Sequence, residues 1–217
     1  MFSASAGDEA NEFAANPAGA TLQGVLLAQL IIGVLGVTVI TSEYSSGMIR
    51  STLAAVPSRL PVLLAKAAVV ACVTFPVMLV TALTAFFAGQ LLIGSGDLAT
   101  ASISDPGVLG AIVGTAGYLT GVALMGLAVG TLLRSTAAAI STLFAVVFLL
   151  PGLGMLLLPE SIRDSVLKFL PSSAGESFMS VLAVPGQLGA GAGTAVFVAW
   201  VAVPLVAAAV VLRRRNA

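Results

Sequence analysis

The chain has 217 residues, of which 59% are hydrophobic and 8% are charged, and its formal net charge is zero. An ordinary soluble domain carries about 25% charged residues, and a soluble fold of this length has too little interior to hide so much apolar surface. The composition therefore excludes a soluble globular protein and predicts one surrounded by lipid, and the zero net charge gives no reason to expect nucleic acid as a partner.

Five stretches of the chain are long and apolar enough to cross a membrane as helices. A crossing takes about 20 mostly apolar residues, because each adds about 1.5 Å to a hydrocarbon core about 30 Å thick. A closed β-barrel would show alternating polarity instead of continuous apolar runs, so the sequence predicts an all-α, polytopic integral membrane helix bundle. An acidic segment at 1–20 precedes a membrane domain at 21–217, with spans at about 21–41, 65–93, 107–133, 136–158 and 193–212.

Charged residues between the spans predict the orientation of the chain. Basic residues cluster in the first and third connections and at the C-terminal end, whereas the second connection is acidic and the fourth is mixed. Cytoplasmic connections of membrane proteins carry an excess of lysine and arginine. We therefore expect the N-terminus outside the cell and the C-terminus inside. The basic residues of the first and third connections and the C-terminal end are Arg50, Arg59, Lys66, Arg134, Arg213, Arg214 and Arg215, and the acidic connection holds Asp97 and Asp105.

The third span is rich in glycine, at steps of three to five residues. Such spacing lets a neighbouring helix approach closely, so we expect helix packing on one face rather than a ligand site. Pro76, Pro151 and Pro204 can each kink a span. Residues 160–170 place apolar side chains near one helical face, which predicts a short helix lying on the outer membrane surface or dipping into it. The glycines are Gly107, Gly110, Gly114, Gly117, Gly121, Gly126 and Gly130.

The side chains required by several kinds of active site are missing from the sequence. The chain has one cysteine, Cys72, and no histidine, and it has no Gly-Lys-Ser/Thr loop to hold the phosphates of ATP. The centres of the spans contain no ionisable residue, which a proton-coupled carrier would need. We expect that the chain is not an enzyme and has no catalytic residue, bound cofactor or metal. Gln29 is the most costly polar residue to bury and is a candidate for lining a cavity or bonding across helices.

The tetrapeptide Gly94-Ser95-Gly96-Asp97 matches the Gly-x-Gly-Asp pattern of intramembrane aspartyl proteases. Such an enzyme needs a second aspartate on another span, because its two carboxyl groups share one proton around the attacking water. The nearest candidate, Asp105, lies in the same connection. We therefore interpret the tetrapeptide as a turn that ends a helix.

The connection between the first two spans, SEYSSGMIRSTLAAVPSR at 42–59, carries the most specific pattern of the chain. Apolar residues recur in it at near-helical spacing, and Pro57 is expected to stop the helix. The residues alone leave two interpretations open: an amphipathic helix that buries its apolar stripe in a partner's groove, or a basic loop that meets anionic lipid headgroups. The apolar residues are Met48, Ile49, Leu53 and Val56.

The same run, followed by Ala65-Lys66-Ala67, resembles the permease subunits of type-2 ATP-binding-cassette exporters, especially those of actinobacteria. The resemblance implies a coupling helix at about 43–57 that docks on a separate cytoplasmic ATPase subunit, where ATP is bound. It also implies a dimer with a second permease copy or a paralogue, in a bacterial plasma membrane. By position, the contact and turn residues of the coupling helix would be Glu43, Gly47, Arg50, Thr52, Leu53, Pro57 and Arg59.

These relatives usually have six spans, and this sequence begins where their first outer loop would be, so we expect that it lacks their first span. The function that the resemblance implies is ATP-driven export. A hydrophobic or amphipathic cargo is expected because the spans offer no charged binding site. The alternatives are a non-transporting immunity or regulatory subunit of the membrane, and a proton-coupled carrier, against which the uncharged spans argue.

Overall fold

The computed structural model describes residues 24–55, 60–94, 101–181 and 186–214, and the regular elements within these ranges are helices. Long helices alternate with short ones that lie in the connections. In chain order they are α1 (Val25–Ser46), α2 (Met48–Ala55), α3 (Leu60–Gly94), α4 (Val108–Leu133), α5 (Thr136–Phe144), a π-helical turn (Ala145–Leu149), α6 (Leu150–Leu157), α7 (Glu160–Leu167), α8 (Pro171–Met179) and α9 (Ala190–Arg214).

Five helical stretches of the described chain have the length and polarity of membrane spans: α1, α3, α4, Thr136–Leu157 and α9. The predicted all-α, polytopic bundle is therefore confirmed. The second span begins at Leu60 rather than near 65. The helix accommodates Lys66 within its second turn because an ion pair compensates the charge of that residue. The acidic segment at 1–20 lies outside the described residues, and the orientation of the termini stays a prediction.

The direction of the spans places the short helices at two ends of the bundle. α2 follows α1 at the end where α4 reaches Arg134 and α9 reaches Arg213 and Arg214. We name this the inner end, because the charge pattern predicts that it faces the cytoplasm. α7 and α8 follow the fourth span and lie towards the opposite, outer end. α1 and α4 run in the same direction through the membrane.

Helix α4 is the central helix of the bundle. It contacts α1, α3, α5, α8 and α9, and 67% of its most apolar window is buried, against 11% for α3 and for the fourth span. The side chains of α3 and the fourth span therefore point largely out of the chain. The core of the described residues surrounds α4, and its largest fully buried side chain is Tyr118.

Glycines let three different neighbours approach α4. A Cβ atom added at Gly126 would lie 2.5 Å from the carbonyl oxygen of Gly33, so α1 and α4 touch backbone to backbone. Added Cβ atoms at Gly114 and Gly121 would instead overlap Phe178 of α8 and Phe197 of α9. The predicted role in close packing is confirmed at these positions, but the glycines serve several faces of the helix rather than one.

Helices α7 and α8 differ in how they pack against the bundle. α7 is short and amphipathic, and Ile162 and Val166 on it are exposed. α8 packs against both α4 and α9, with Gly175 lying over the ring of Tyr118. Trp200 of α9 donates a hydrogen bond of 2.8 Å from Nε1 to the carbonyl oxygen of Phe169, between the two short helices. The fourth connection thus dips into the bundle through α8, while α7 stays on its surface.

The three prolines have unequal effects on the spans. α3 continues through Pro76 and α9 continues through Pro204. The fourth span changes its helix type before Pro151, because the π-helical turn Ala145–Leu149 separates α5 from α6. Such turns are rare and often occur at functional positions within helices.

Candidate functional site

The first connection forms a short helix at the inner end, set off from α1 by a glycine turn. Gly47 has φ 74°, and its N–H donates to the carbonyl oxygen of Tyr44 at 3.4 Å. Glycine adopts this left-handed conformation without the steric cost that a side chain would add. The segment proposed at 43–57 is therefore bent: Glu43 belongs to the last turn of α1, and α2 begins at Met48.

The other predicted coupling residues are distributed along this segment. Thr52 bonds its hydroxyl group to the carbonyl oxygen of Met48 at 3.2 Å, a local contact within α2. Arg50 and Leu53 are helical residues of α2. Pro57 and Arg59 lie outside the described residues. The structure has a helix from Met48 to Ala55, while its role as a coupling helix and the contacts proposed for these side chains stay predictions.

Two neighbouring apolar side chains show how α2 sits on the bundle. Ile49 is 5% exposed and belongs to the main hydrophobic core, so it holds α2 against the spans. Met48 is 57% exposed and points away from them. A large exposed apolar residue at the inner end is available for contact with another protein.

An ion pair joins the two spans that α2 connects. Nζ of Lys66 in α3 lies 2.6 Å from Oε1 of Glu43 in α1, and the side chains of both residues are 17% exposed. The same Nζ donates to the carbonyl oxygen of Val39 at 3.3 Å. Oε2 of Glu43 is buried without a hydrogen-bond partner among the described residues. The carboxylate therefore depends on Lys66 for its compensation.

A cation–π contact joins α1 to α4 beside this ion pair. The guanidinium carbon of Arg134 lies 5.4 Å from the centroid of the Tyr44 ring. Arg134 ends α4 with φ 54°, uncommon for a residue with a side chain, and its N–H donates to the carbonyl oxygen of Gly130 at 2.9 Å. Adjacent residues of α1, Glu43 and Tyr44, thus bind two different spans.

A second polar contact between α1 and α4 lies nearer the outer end. The hydroxyl of Tyr118 donates to Oε1 of Gln29 at 2.7 Å, and both residues are buried. Gln29 also lines a cavity of about 30 Å³. Its proposed roles, lining a cavity and bonding across helices, are therefore both observed. The other lining residues are Leu30, Val34, Val122, Ile140, Leu143, Phe144, Val147 and Phe148.

Asp105, the candidate partner of the tetrapeptide that resembles a protease motif, takes part in a local turn. Asp105 accepts a hydrogen bond of 2.7 Å from the N–H of Ser102, which closes a local turn in the second connection. Asp97 lies outside the described residues. Among the described residues, no group of three or more histidine, cysteine, aspartate or glutamate side chains converges in a way that would hold a metal ion.

A family model described as ABC-2 family transporter protein matches residues 6–152, which is more than half of the chain. The chain belongs to the ABC-2 transporter family. The matched range includes the helices α1 to α4, and therefore the first connection, which contains α2. No curated protein and no solved structure matched the sequence. With its five apolar helices, the chain is a multi-pass membrane permease of the ABC-2 type.

The structure of this ABC-2 permease adds residues that sequence reasoning did not assign to a site. The sequence indicates Lys66 and Arg134 as charges that orient the spans, and Lys66 also as part of the family resemblance, but it predicts no contact for either of them or for Tyr44 and Tyr118. One signal for the ion pair was present in the sequence: Glu43 and Lys66 are opposite charges flanking the same short connection. No comparable signal linked Tyr44 to Arg134, because 90 positions of sequence separate them.

Proposed function

We propose that this ABC-2 permease exports a hydrophobic or amphipathic molecule, using ATP hydrolysed by a separate cytoplasmic ATPase subunit. The observation that carries the proposal is the seating of α2, which Ile49 anchors in the core while Met48 stays exposed at the inner end. The chain itself would neither bind nor hydrolyse ATP, and it would need no other cofactor. Export from the plasma membrane of a bacterium is the setting that the resemblance implies.

The class of cargo follows from the polarity of the spans. The charged residues of the described spans, Glu43, Lys66, Arg213 and Arg214, are confined to the inner end. The cavity beside Gln29 is lined mostly by aliphatic and phenylalanine side chains. A charged molecule would find no compensating charge along the described spans away from the inner end, whereas an apolar one would need none. This favours a drug-like, lipid-like or peptide-like cargo.

The mechanism begins with closure of the ATPase subunits around ATP. Their movement would displace α2, and the displacement would pass through the turn at Gly47 to α1 and, from the other end of α2, along the chain to α3. Rigid-body shifts of span bundles against one another would then alternate access between the two sides of the membrane. A dimer, with a second copy or a paralogue, is supported by the largely unburied faces of α3 and the fourth span.

Substitution of Met48 by aspartate tests the docking of the ATPase. The change adds a charge to an exposed face of α2 and removes no core contact, so membrane insertion should persist. We expect the cassette ATPase that co-purifies with the parent chain to be lost, together with ATP-dependent uptake of cargo into inverted vesicles. Leu53→Asp is expected to have the same effect. Ile162→Asp is the matched control, because Ile162 is 46% exposed on α7 at the other end of the bundle.

Two results would contradict the proposal. Unchanged co-purification of the ATPase with both α2 variants would remove the docking role of the helix. An intact complex whose inverted vesicles show no ATP-driven uptake of cargo would favour the alternative, a regulatory or immunity subunit that binds a partner without transporting. Transport driven by a pH gradient in the absence of ATP would instead indicate a proton-coupled carrier.

A further inference from the structure

We propose that Glu43, Tyr44, Lys66 and Arg134 form an inner clamp that makes α1, α3 and α4 move together when α2 is displaced. The proposal rests on the proposed function, because it assigns these four side chains to the coupling of ATP hydrolysis to transport. They are positioning residues and need not touch the ATPase or the cargo. Glu43, which the resemblance placed among the contact and turn residues of the coupling helix, is only 17% exposed and is paired with Lys66, so we assign it to the clamp and not to the docking surface of α2.

The position of the ion pair is the first argument. α2 is attached at one end to α1, through Gly47, and leads at the other end towards α3. A force on α2 is therefore divided between these two spans and tends to separate them. The ion pair joins the last turn of α1 to the second turn of α3, so it opposes separation of these spans near the ends to which α2 is connected.

The environment of the ion pair strengthens its resistance to separation of α1 and α3. Each side chain is only 17% exposed, and Lys66 is further held by the carbonyl oxygen of Val39. Attraction between charges is stronger where water is largely excluded, and a single charge left there is costly. Because Oε2 of Glu43 has no hydrogen-bond partner among the described residues, no neighbouring donor takes over if Lys66 leaves.

The contact between Tyr44 and Arg134 extends the clamp to the centre of the bundle. Arg134 terminates α4, the helix that contacts α1, α3, α5, α8 and α9. Its guanidinium group covers the ring of Tyr44, the neighbour of Glu43 in the last turn of α1. A displacement of the last turn of α1 is thus transmitted to α3 through Glu43 and to α4 through Tyr44. We infer that this arrangement converts a local pull into movement of a three-helix unit.

A pair of double variants separates coupling from folding. In Glu43→Gln/Lys66→Met, both charges are removed, so neither is left uncompensated, and replacement of a buried ion pair in this way is often neutral for stability. In Glu43→Lys/Lys66→Glu, the charges are exchanged and their attraction is retained. Both are measured in proteoliposomes with the co-purifying ATPase. The readouts are ATPase binding, ATP hydrolysis and cargo transported per ATP hydrolysed.

We expect a change only in the amount of cargo transported per ATP hydrolysed. The uncharged double variant should bind the ATPase and hydrolyse ATP, yet transport at least about fivefold less cargo per ATP, the lower end of usual coupling effects. The exchanged variant should recover to within about twofold of the parent. Arg134→Lys, which keeps the charge and loses the planar group, should lower the same ratio with ATPase binding intact.

Two outcomes overturn the inner clamp. A parental transport ratio in the uncharged double variant would show that the pair only stabilises the fold. A low ratio in the exchanged variant, with ATPase binding intact, would show that the identity of the residues matters and not their attraction. Failure of the proposed function is distinguishable, because the parent complex would then lack ATP-driven transport as well.

Discussion

The hydroxyl of Tyr118 and the carboxamide oxygen of Gln29 form a buried hydrogen bond of 2.7 Å that links the two most closely packed spans, α1 and α4. The Tyr118 ring is held from the other side by Phe197 of α9, whose centroid lies 5.0 Å away, and by Gly175 of α8. One side chain of the central helix therefore contacts three other elements.

Removal of the Tyr118 hydroxyl should weaken the α1–α4 contact. Tyr118→Phe leaves the Gln29 carboxamide without its donor in a region that excludes water, whereas Gln29→Leu/Tyr118→Phe removes both polar groups. We expect a coupling free energy of about 0.6 kcal/mol, and no more than about 1.7, as for other hydrogen bonds between membrane helices. A double-mutant cycle of unfolding in mixed micelles measures it. A coupling energy of zero would contradict the contribution assigned to this hydrogen bond.

Alanine substitution of two glycines in α4 should change the unfolding free energy by very different amounts. Gly126→Ala places a Cβ atom 2.5 Å from the carbonyl oxygen of Gly33 and must push α1 away, at a cost of about 1–3 kcal/mol in unfolding free energy. Gly117→Ala is the matched control, because nothing lies within 4 Å of its added Cβ atom. Its effect should stay within about 0.5 kcal/mol. Equal losses of stability in the two variants would show that the α1–α4 contact is not set by glycine.

The carboxyl group of Glu176 should make stability depend on pH. Partial desolvation of the carboxyl group raises the pKa of Glu176 above its ordinary value, although the residue keeps exposed surface, and the hydrogen bond from Gln187, at 3.5 Å, offsets part of the rise. In the window between the ordinary pKa and the raised one, the folded chain holds a proton that the unfolded chain has released. Stability should therefore fall as the pH rises through this window.

Glu176→Gln should remove that dependence and become more stable than the parent above the window. Thermal unfolding of both proteins in detergent, as a function of pH, measures the difference. Glu160→Gln controls for the loss of one negative charge, since Glu160 is exposed on α7. Parallel profiles for the parent and Glu176→Gln would refute the assignment.

The inner end of the bundle should face the cytoplasm. Cys72 is the sole cysteine of the chain, so a Cys72→Ser background permits labelling at single sites. Both Ser51 in α2 and Ser104 in the second connection are exposed. A membrane-impermeant maleimide should label Ser104→Cys in intact cells and Ser51→Cys only after lysis. Labelling of Ser51→Cys in intact cells would place α2 outside, beyond the reach of a cytoplasmic ATPase.

The existence of the spans was predictable because an uninterrupted apolar run is sufficient to identify a membrane helix. The ends were less predictable. The sequence predicts a second span that starts near 65, although the helix begins at Leu60 and carries Lys66 inside, paired with Glu43. The sequence shows where charges lie, but not which of them meet when two spans are packed side by side.

The contacts of the central helix illustrate the same limit. Glycine spacing correctly indicated close packing for the third span, but it did not show that Gly114, Gly121 and Gly126 face three different helices. Gln29 stood out because an amide is costly in lipid. Tyr118 was not recognisable in the same way, because a tyrosine within an apolar run resembles an ordinary core residue. Its role depends on packing between distant segments.

The π-helical turn at Ala145–Leu149 changes how the fourth span must be interpreted. A turn of this kind accommodates one residue more than an α-helical turn, so the positions after it are rotated by about 100° from the register of an uninterrupted helix. Before the turn, Ala139 and Leu143 face the core; after it, α6 contributes no buried residue. A helical wheel drawn through the whole span would therefore assign the wrong side chains to the protein interior, and deletion of a single residue from the turn would realign them.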